Sequence, residues 1–124
     1  MTVSLRVRYY ECDMQRVVHN AVYLAWCDEV GDRYFRLAGM GDGDWDVMVK
    51  TATVTWQAPA RLGDEVEIDP RVTRWGTTSF DVTYTGTKDG APLFDAVITY
   101  VTVDMAEGTS IAVPDVFRQA LATG

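Results

Sequence analysis

The run NAVYLAWCDEVGDRYFRL, Asn20 to Leu37, decides how the rest of the chain is read. Ala21, Leu24, Ala25, Cys27 or Asp28, Val30, Tyr34, Phe35 and Leu37 recur largely at helical spacing, while Asp28, Glu29, Asp32, Arg33 and Arg36 make a wet side. Glu29 with Arg33 and Asp32 with Arg36 stand four residues apart in the favourable order, each pair adding about 0.3 kcal/mol of helix stability. Asn20 is a residue type suited to an N-cap, and the three glycines and three aspartates between Gly39 and Asp46 break the period. The spacing predicts one helix of roughly 18 residues, about 27 Å long, enough to cross a sheet.

Outward from that helix the period is two. Between Ser4 and Tyr10, Leu5, Val7 and Tyr9 alternate with Arg6, Arg8 and Tyr10, which predicts a first strand. After the helix, Val47 to Ala58, Glu65 to Arg74, Ser79 to Thr87 and Leu93 to Asp104 are rich in Val, Thr, Tyr, Trp and Phe and read as four more strands. Turns at Pro59 to Asp64, Trp75 to Thr78 and Lys88 to Pro92 join them, and Asp89-Gly90 is a strong hairpin signal. Pro114 to Ala122 reads as a short helix. One amphipathic helix must then cover the apolar face of one antiparallel sheet. The expectation is an α+β chain, residues 1–124 as a single domain, with a five-stranded antiparallel sheet wrapped around one long central helix. Strand edges and apolar surface at Trp26, Trp56 and Trp75 invite a second copy, so a homodimer or homotetramer is expected.

Composition narrows the function. With 124 residues, 48% of them hydrophobic, the chain has material for one core, and a net charge of -7 would repel a phosphate backbone, which argues against nucleic acid. A small anion stays possible through local cations such as Arg61, Arg71, Arg74 and Lys88. No stretch approaches the ~18 apolar residues of a membrane span, and Met1 to Tyr10 alternates rather than forming a signal core. Two cysteines, Cys12 and Cys27, are too few for a disulfide framework; free thiols and a cytoplasmic location are expected.

Phosphate loops, dinucleotide fingerprints, nucleophile elbows and zinc spacings are absent. Asp42, Asp44 and Asp46 copy the opening of a calcium loop, but Val47 stands where that loop needs Gly and Thr53 where it needs Glu, so a solvated loop is expected and no metal. What remains is Glu11 to Tyr23. It gathers two carboxylates, the only histidine and a helix start, whose free N–H groups and positive potential would stabilise an oxyanion. A carboxylate beside it would activate water or attack a carbonyl.

The run Tyr10-Glu11-Cys12-Asp13-Met14-Gln15-Arg16-Val17-Val18-His19-Asn20-Ala21-Val22-Tyr23-Leu24 resembles the signature of hotdog-fold acyl-CoA thioesterases of the 4-hydroxybenzoyl-CoA thioesterase type. The similarity continues through Gln57 to Val66, Gly76 to Phe80 and Val101 to Asp104, with Pro114 near the end. It implies a hotdog fold and hydrolysis of an acyl-CoA or acyl carrier protein thioester without metal or organic cofactor. Asp13 falls on the catalytic nucleophile or base, and Asn20 supplies the helix-start amide. His19, Arg16, Tyr23, Trp56, Thr77 and Thr78 are then candidates to hold substrate, the two threonines across a subunit boundary. Two positions depart from the signature: Arg16 replaces the usual Gly, and His19 the usual aromatic. The alternatives are hydration or dehydration of an acyl thioester with His19 as acid-base group, and a non-catalytic binder of acyl or aromatic ligands. Glu29 is expected to be a solvated partner of Arg33.

Overall fold

The computed structural model describes residues 1–41 and 43–122. Strand β1 (Val3–Arg6) leads through a 3-10 turn at Tyr9–Glu11 to helix α1 (Asn20–Leu37). Strands β2 (Trp45–Trp56), β3 (Glu65–Trp75), β4 (Ser79–Lys88) and β5 (Ala91–Asp104) follow, then helix α2 (Asp115–Ala122). The strands form one antiparallel sheet in the order β1-β3-β4-β5-β2. A five-stranded antiparallel sheet with a helix against it fits the hotdog expectation.

The helix has the expected length, and its buried face matches the expected stripe at Cys27, Val30, Tyr34 and Phe35 but not at the alanines or Leu37. Tyr23, Trp26, Cys27, Val30, Gly31, Tyr34 and Phe35 are buried, whereas Ala21 and Ala25 are exposed and Leu37 is 79% exposed. The aromatics decide this. Tyr23 meets Phe94 at 5.1 Å, and Phe35 meets Tyr100 at 4.9 Å and Phe80 at 5.5 Å, all edge to face, each burying far more area than an alanine. Gly31 lies directly against the tyrosine hydroxyls of the sheet. A Cβ there would run into the Tyr84 hydroxyl, which shares a 2.6 Å hydrogen bond with that of Tyr100. Burial pushes both phenols well above the usual tyrosine range.

Two expectations about strands need correction. β1 ends at Arg6 rather than running to Tyr10, and Tyr9 and Tyr10 are 81% and 75% exposed. The reason is Glu11, whose carboxylate accepts from the Arg8 N–H at 2.8 Å and closes the chain into a turn. Asp46 belongs to β2 rather than to a loop, and its Oδ1 accepts from Val47 N at 2.7 Å; Asp42, the first of the calcium-like aspartates, lies outside the described residues.

At the sheet edge, β2 pairs only with β5 among the described strands. Val49, Ala52 and Trp56 face inward by register with Tyr100, Ile98 and Phe94, yet all three stay exposed, Trp56 at 45% even with Tyr23 of α1 against its ring. Among the described residues no helix is long and apolar enough to cross a membrane.

Candidate active site

The segment between β1 and α1 is a folded loop tied at both ends. Asp13 N donates to Val17 O at 2.9 Å and Arg16 N to Asp13 O at 3.0 Å, which makes a tight turn of residues 13–16. Arg16 takes φ 63°, the left-handed conformation that a glycine would adopt freely. Arg16 thus holds a conformation that glycine adopts without strain, and it brings a cation to the turn. The turn is clamped to its surroundings by bridges of Cys12 to Val18 and Val17 to Arg61, and by His19 N donating to Glu11 O at 2.9 Å.

Asp13 is exposed at the tip of this loop. Its Oδ1 accepts from Gln15 N at 2.8 Å, which fixes the carboxylate, and among the described residues no group bonds Oδ2. The carboxylate opens onto a cleft of about 580 Å³ shared with Tyr9, Tyr10, Cys12, Met14, Arg16 and Leu62. Among the described residues Arg16 makes no ion pair, so its charge is free for a ligand.

The helix start differs from expectation in one respect: His19, not Asn20, is the N-cap. His19 Nδ1 accepts from Ala21 N at 3.2 Å and its carbonyl from Val22 N at 3.0 Å, while Asn20 is the first helical residue. Among the described residues nothing accepts from the Asn20 backbone N–H. A donor without a partner thus sits where the helix dipole is positive. Asn20 lines a second cleft of about 330 Å³ with Val17, Val18, Tyr23, Trp56, Gln57, Ala58 and Pro59. Tyr23 and Trp56 pack edge to face at 5.8 Å, and the Tyr23 hydroxyl accepts from Ala60 N at 3.0 Å. Burial raises the Tyr23 phenol above its usual range.

The structure therefore brings Asn20, Tyr23 and Trp56 together, and Asp13 with Arg16, with Val17 next to Arg16 between the two clefts. It does not bring Thr77 and Thr78 to either. They lie in the β3–β4 turn, at the far end of an 11-residue strand that spans roughly 33 Å. Their carbonyls are engaged there, Thr77 O by Val113 N and Thr78 O by Thr102 N, each at 2.9 Å. Glu29 is exposed on α1 and forms no ion pair with Arg33 among the described residues, although Asp32 and Arg36 do pair at 3.0 Å.

One residue of this region was not singled out by its sequence. Glu11 is 5% exposed, and its carboxylate holds Arg8 and the Trp26 indole. Burial alone raises its pKa, but hydrogen bonds from Arg8 and Trp26 and the Arg8 charge together bring it below the usual carboxylate range. The signal available in the sequence was the acidic residue two positions before Asp13.

Comparison with solved structures shows the same fold repeatedly. A probable thioesterase, YbaW, from Escherichia coli is 23% identical, with 98% of this chain and 96% of that one covered at a TM-score of 0.85. A 1,4-dihydroxy-2-naphthoyl-CoA thioesterase from Synechocystis is 19% identical, with 98% and 94% covered at 0.84. A hypothetical protein from Staphylococcus aureus, solved in complex with CoA, is 17% identical, with 98% and 81% covered at 0.92. Among curated proteins, none matches the sequence. A family model described as the thioesterase-like superfamily matches residues 7–121. The span takes in the Asp13 loop, α1, all of β2 to β5 and nearly all of α2, so this chain belongs to the thioesterase-like superfamily.

Proposed function

We propose that this protein hydrolyses an acyl-CoA, or an acyl carrier protein thioester, to a free acid and a thiol. The observation that carries the reading is the unpartnered Asn20 N–H at the start of α1, tied through His19 and Val17 to the loop that holds Asp13. The thioester carbonyl oxygen sits at that N–H, and the charge it gains on attack is stabilised there. Asp13 either removes a proton from the attacking water or adds its own oxygen to the carbonyl carbon, forming an anhydride that water then opens. In both routes the carbon–sulfur bond breaks and the departing thiolate is protonated. Tyr23 and Trp56 line the acyl side, while His19 and Arg16 flank the approach and Arg16 meets a substrate anion. The structure solved with CoA supports a CoA thioester as the substrate class, and the cytoplasm is the compartment we propose for it.

We also propose that the working form is a homo-oligomer with α1 central to each hotdog unit. Support comes from β2, an open edge of 12 residues with a single charge of its own past Asp46, Lys50, and inward-facing Val49, Ala52 and Trp56 left uncovered. An antiparallel copy along this edge would cover them and carry its own Thr77 and Thr78 toward the Asn20 cleft.

The test is thiol release from benzoyl-, phenylacetyl-, hexanoyl- and palmitoyl-CoA by the wild type and by Asp13→Asn, with folding of both checked. Turnover of at least one substrate, with a loss of a hundredfold or more in the variant, about 2.7 kcal/mol of transition-state stabilisation, is the expected outcome. No turnover by either protein, with acyl-CoA still bound, removes the hydrolase reading.

A further inference from the structure

We infer that Glu11 is a positioning residue for this reaction, holding the Asp13 turn in register with α1 through the Trp26 indole; the inference rests on the hydrolysis reading above. Glu11 and Thr102 are the buried polar residues among those described, and only Glu11 can carry a charge. Its carboxylate accepts four hydrogen bonds: from Arg8 N at 2.8 Å, Arg8 Nε at 3.2 Å, Arg8 Nη2 at 3.0 Å and Trp26 Nε1 at 2.8 Å. A turn cap needs only the first of these. The bond to Trp26 crosses fifteen residues of sequence and lands on the second turn of α1.

From Trp26 the contact continues to the helix-start cleft. Its ring meets Tyr23 edge to face at 5.1 Å, and Tyr23 lines the same cleft as Asn20. On the other side Glu11 precedes Asp13 by two residues, and its carbonyl accepts from His19 N at 2.9 Å. Glu11 thus grips the loop where it enters, where it leaves, and the helix the loop leads into. A buried carboxylate with four donors on it admits one arrangement of the segments involved, because displacing any donor leaves a desolvated charge short of partners. Such a constraint has a use here, since Asp13 and Asn20 open onto separate clefts and must be held at a fixed offset for one carbonyl to meet both. Misplacement by about 1 Å is enough to cost roughly a hundredfold in rate.

The experiment compares Glu11→Gln and Trp26→Phe, each made in the wild type and in Asp13→Asn, on the fastest acyl-CoA of the panel. Gln keeps the shape but turns an amide N–H toward donors, and Phe removes the indole N–H together with the buried five-membered ring, a packing loss that the two backgrounds share. Glu11→Gln should lower kcat about tenfold to a hundredfold with KM within threefold and an unchanged circular dichroism spectrum. In the Asp13→Asn background it should change the residual rate less than twofold, because it acts through Asp13. An unchanged kcat in folded Glu11→Gln, or an equal loss in both backgrounds, overturns the inference. Should Glu11→Gln not fold, Trp26→Phe carries the same test, with a loss of threefold or more confined to the Asp13 background expected and an unchanged kcat refuting it. An Asp13→Asn protein as active as the wild type is a separate result: it removes the hydrolysis reading, and this inference with it.

Discussion

Replacing Asn20 with proline should abolish activity while leaving the fold intact. Asn20 is the first residue of α1, the position where proline's fixed φ and missing N–H are tolerated best. His19 before it has φ -63° and ψ 140°, the extended conformation that a following proline requires. Because no group among the described residues accepts from the Asn20 N–H, the substitution breaks no hydrogen bond of the fold. The stiffer unfolded chain offsets small local losses, so stability should change by no more than about 1 kcal/mol. If that N–H is the oxyanion donor, its deletion costs about 2.7–4 kcal/mol of transition-state stabilisation, a fall of roughly 10²–10³ in kcat. Asn20→Ala removes the side chain and keeps the N–H, and should stay within about tenfold of the wild type. Thiol release at saturating acyl-CoA measures the rates, and urea unfolding the stability. A folded Asn20→Pro protein with kcat within threefold of the wild type would refute the oxyanion assignment.

Gly31→Ala gains about 1 kcal/mol of helix propensity but drives a methyl into the Tyr84 hydroxyl, costing about 1–3 kcal/mol, and leaves the 2.6 Å tyrosine pair broken. It should destabilise by about 1–3 kcal/mol in urea, and Tyr84→Phe in the same chain should restore most of that by removing the obstructing oxygen. Among the described residues three carboxyls sit below their usual range: Glu11, where burial opposes but Arg8 and Trp26 prevail; Asp64, where burial opposes but Lys88 prevails; and Asp81, held down first by Arg74. Being lower when folded than unfolded, they contribute stability above the unfolded values of about 3.9–4.3, and it is lost as pH falls through the folded values. The urea midpoint should therefore hold from pH 7 to about pH 5 and fall below about pH 4; a midpoint that rises on acidification contradicts this. Burial pushes the Cys27 thiol up to about 12, so a native titration with an aromatic disulfide reagent should find at most Cys12, with Cys27 reacting only after denaturation. Arg16→Gly should alter stability by less than about 1 kcal/mol, since relief at φ 63° and the added freedom of the unfolded chain oppose each other, while KM for acyl-CoA rises.

The strands were legible because their pattern is local: β2 to β5 begin and end within two residues of where alternation and turn residues placed them. Two failures share a cause, which is that a side chain distant along the sequence decided the outcome. The alternation of β1 runs on through Tyr9 and Tyr10, yet the chain turns there because Glu11 reaches back to Arg8 and across to Trp26. Small residues at Ala21 and Ala25 keep helical spacing as well as the aromatics do. Only the presence of Phe80, Phe94 and Tyr100 on the sheet determines which stripe of α1 turns inward.

The site was legible in its parts and not in its assembly. Asp13 and Asn20 stand seven residues apart in one motif, which suggests a single pocket, but the turn at Arg16 sends them to the mouths of two clefts. Thr77 and Thr78 carry the opposite lesson. Nothing local excludes them from substrate contact, yet β3 removes them by its own length, so one chain cannot use them at its own Asp13. The exposed inner face of β2 borders the Asn20 cleft at Trp56. A copy paired along β2 would close that side of the cleft and deliver hydroxyls from its own β3–β4 turn. Under the proposed homo-oligomer, then, the loss of assembly and the loss of activity should coincide. Val49→Lys, which puts a charge on the uncovered strand far from Asp13, should by sedimentation give a folded single chain and by thiol release an inactive one. A dissociated chain that keeps full activity would show that each Asp13 works within one copy.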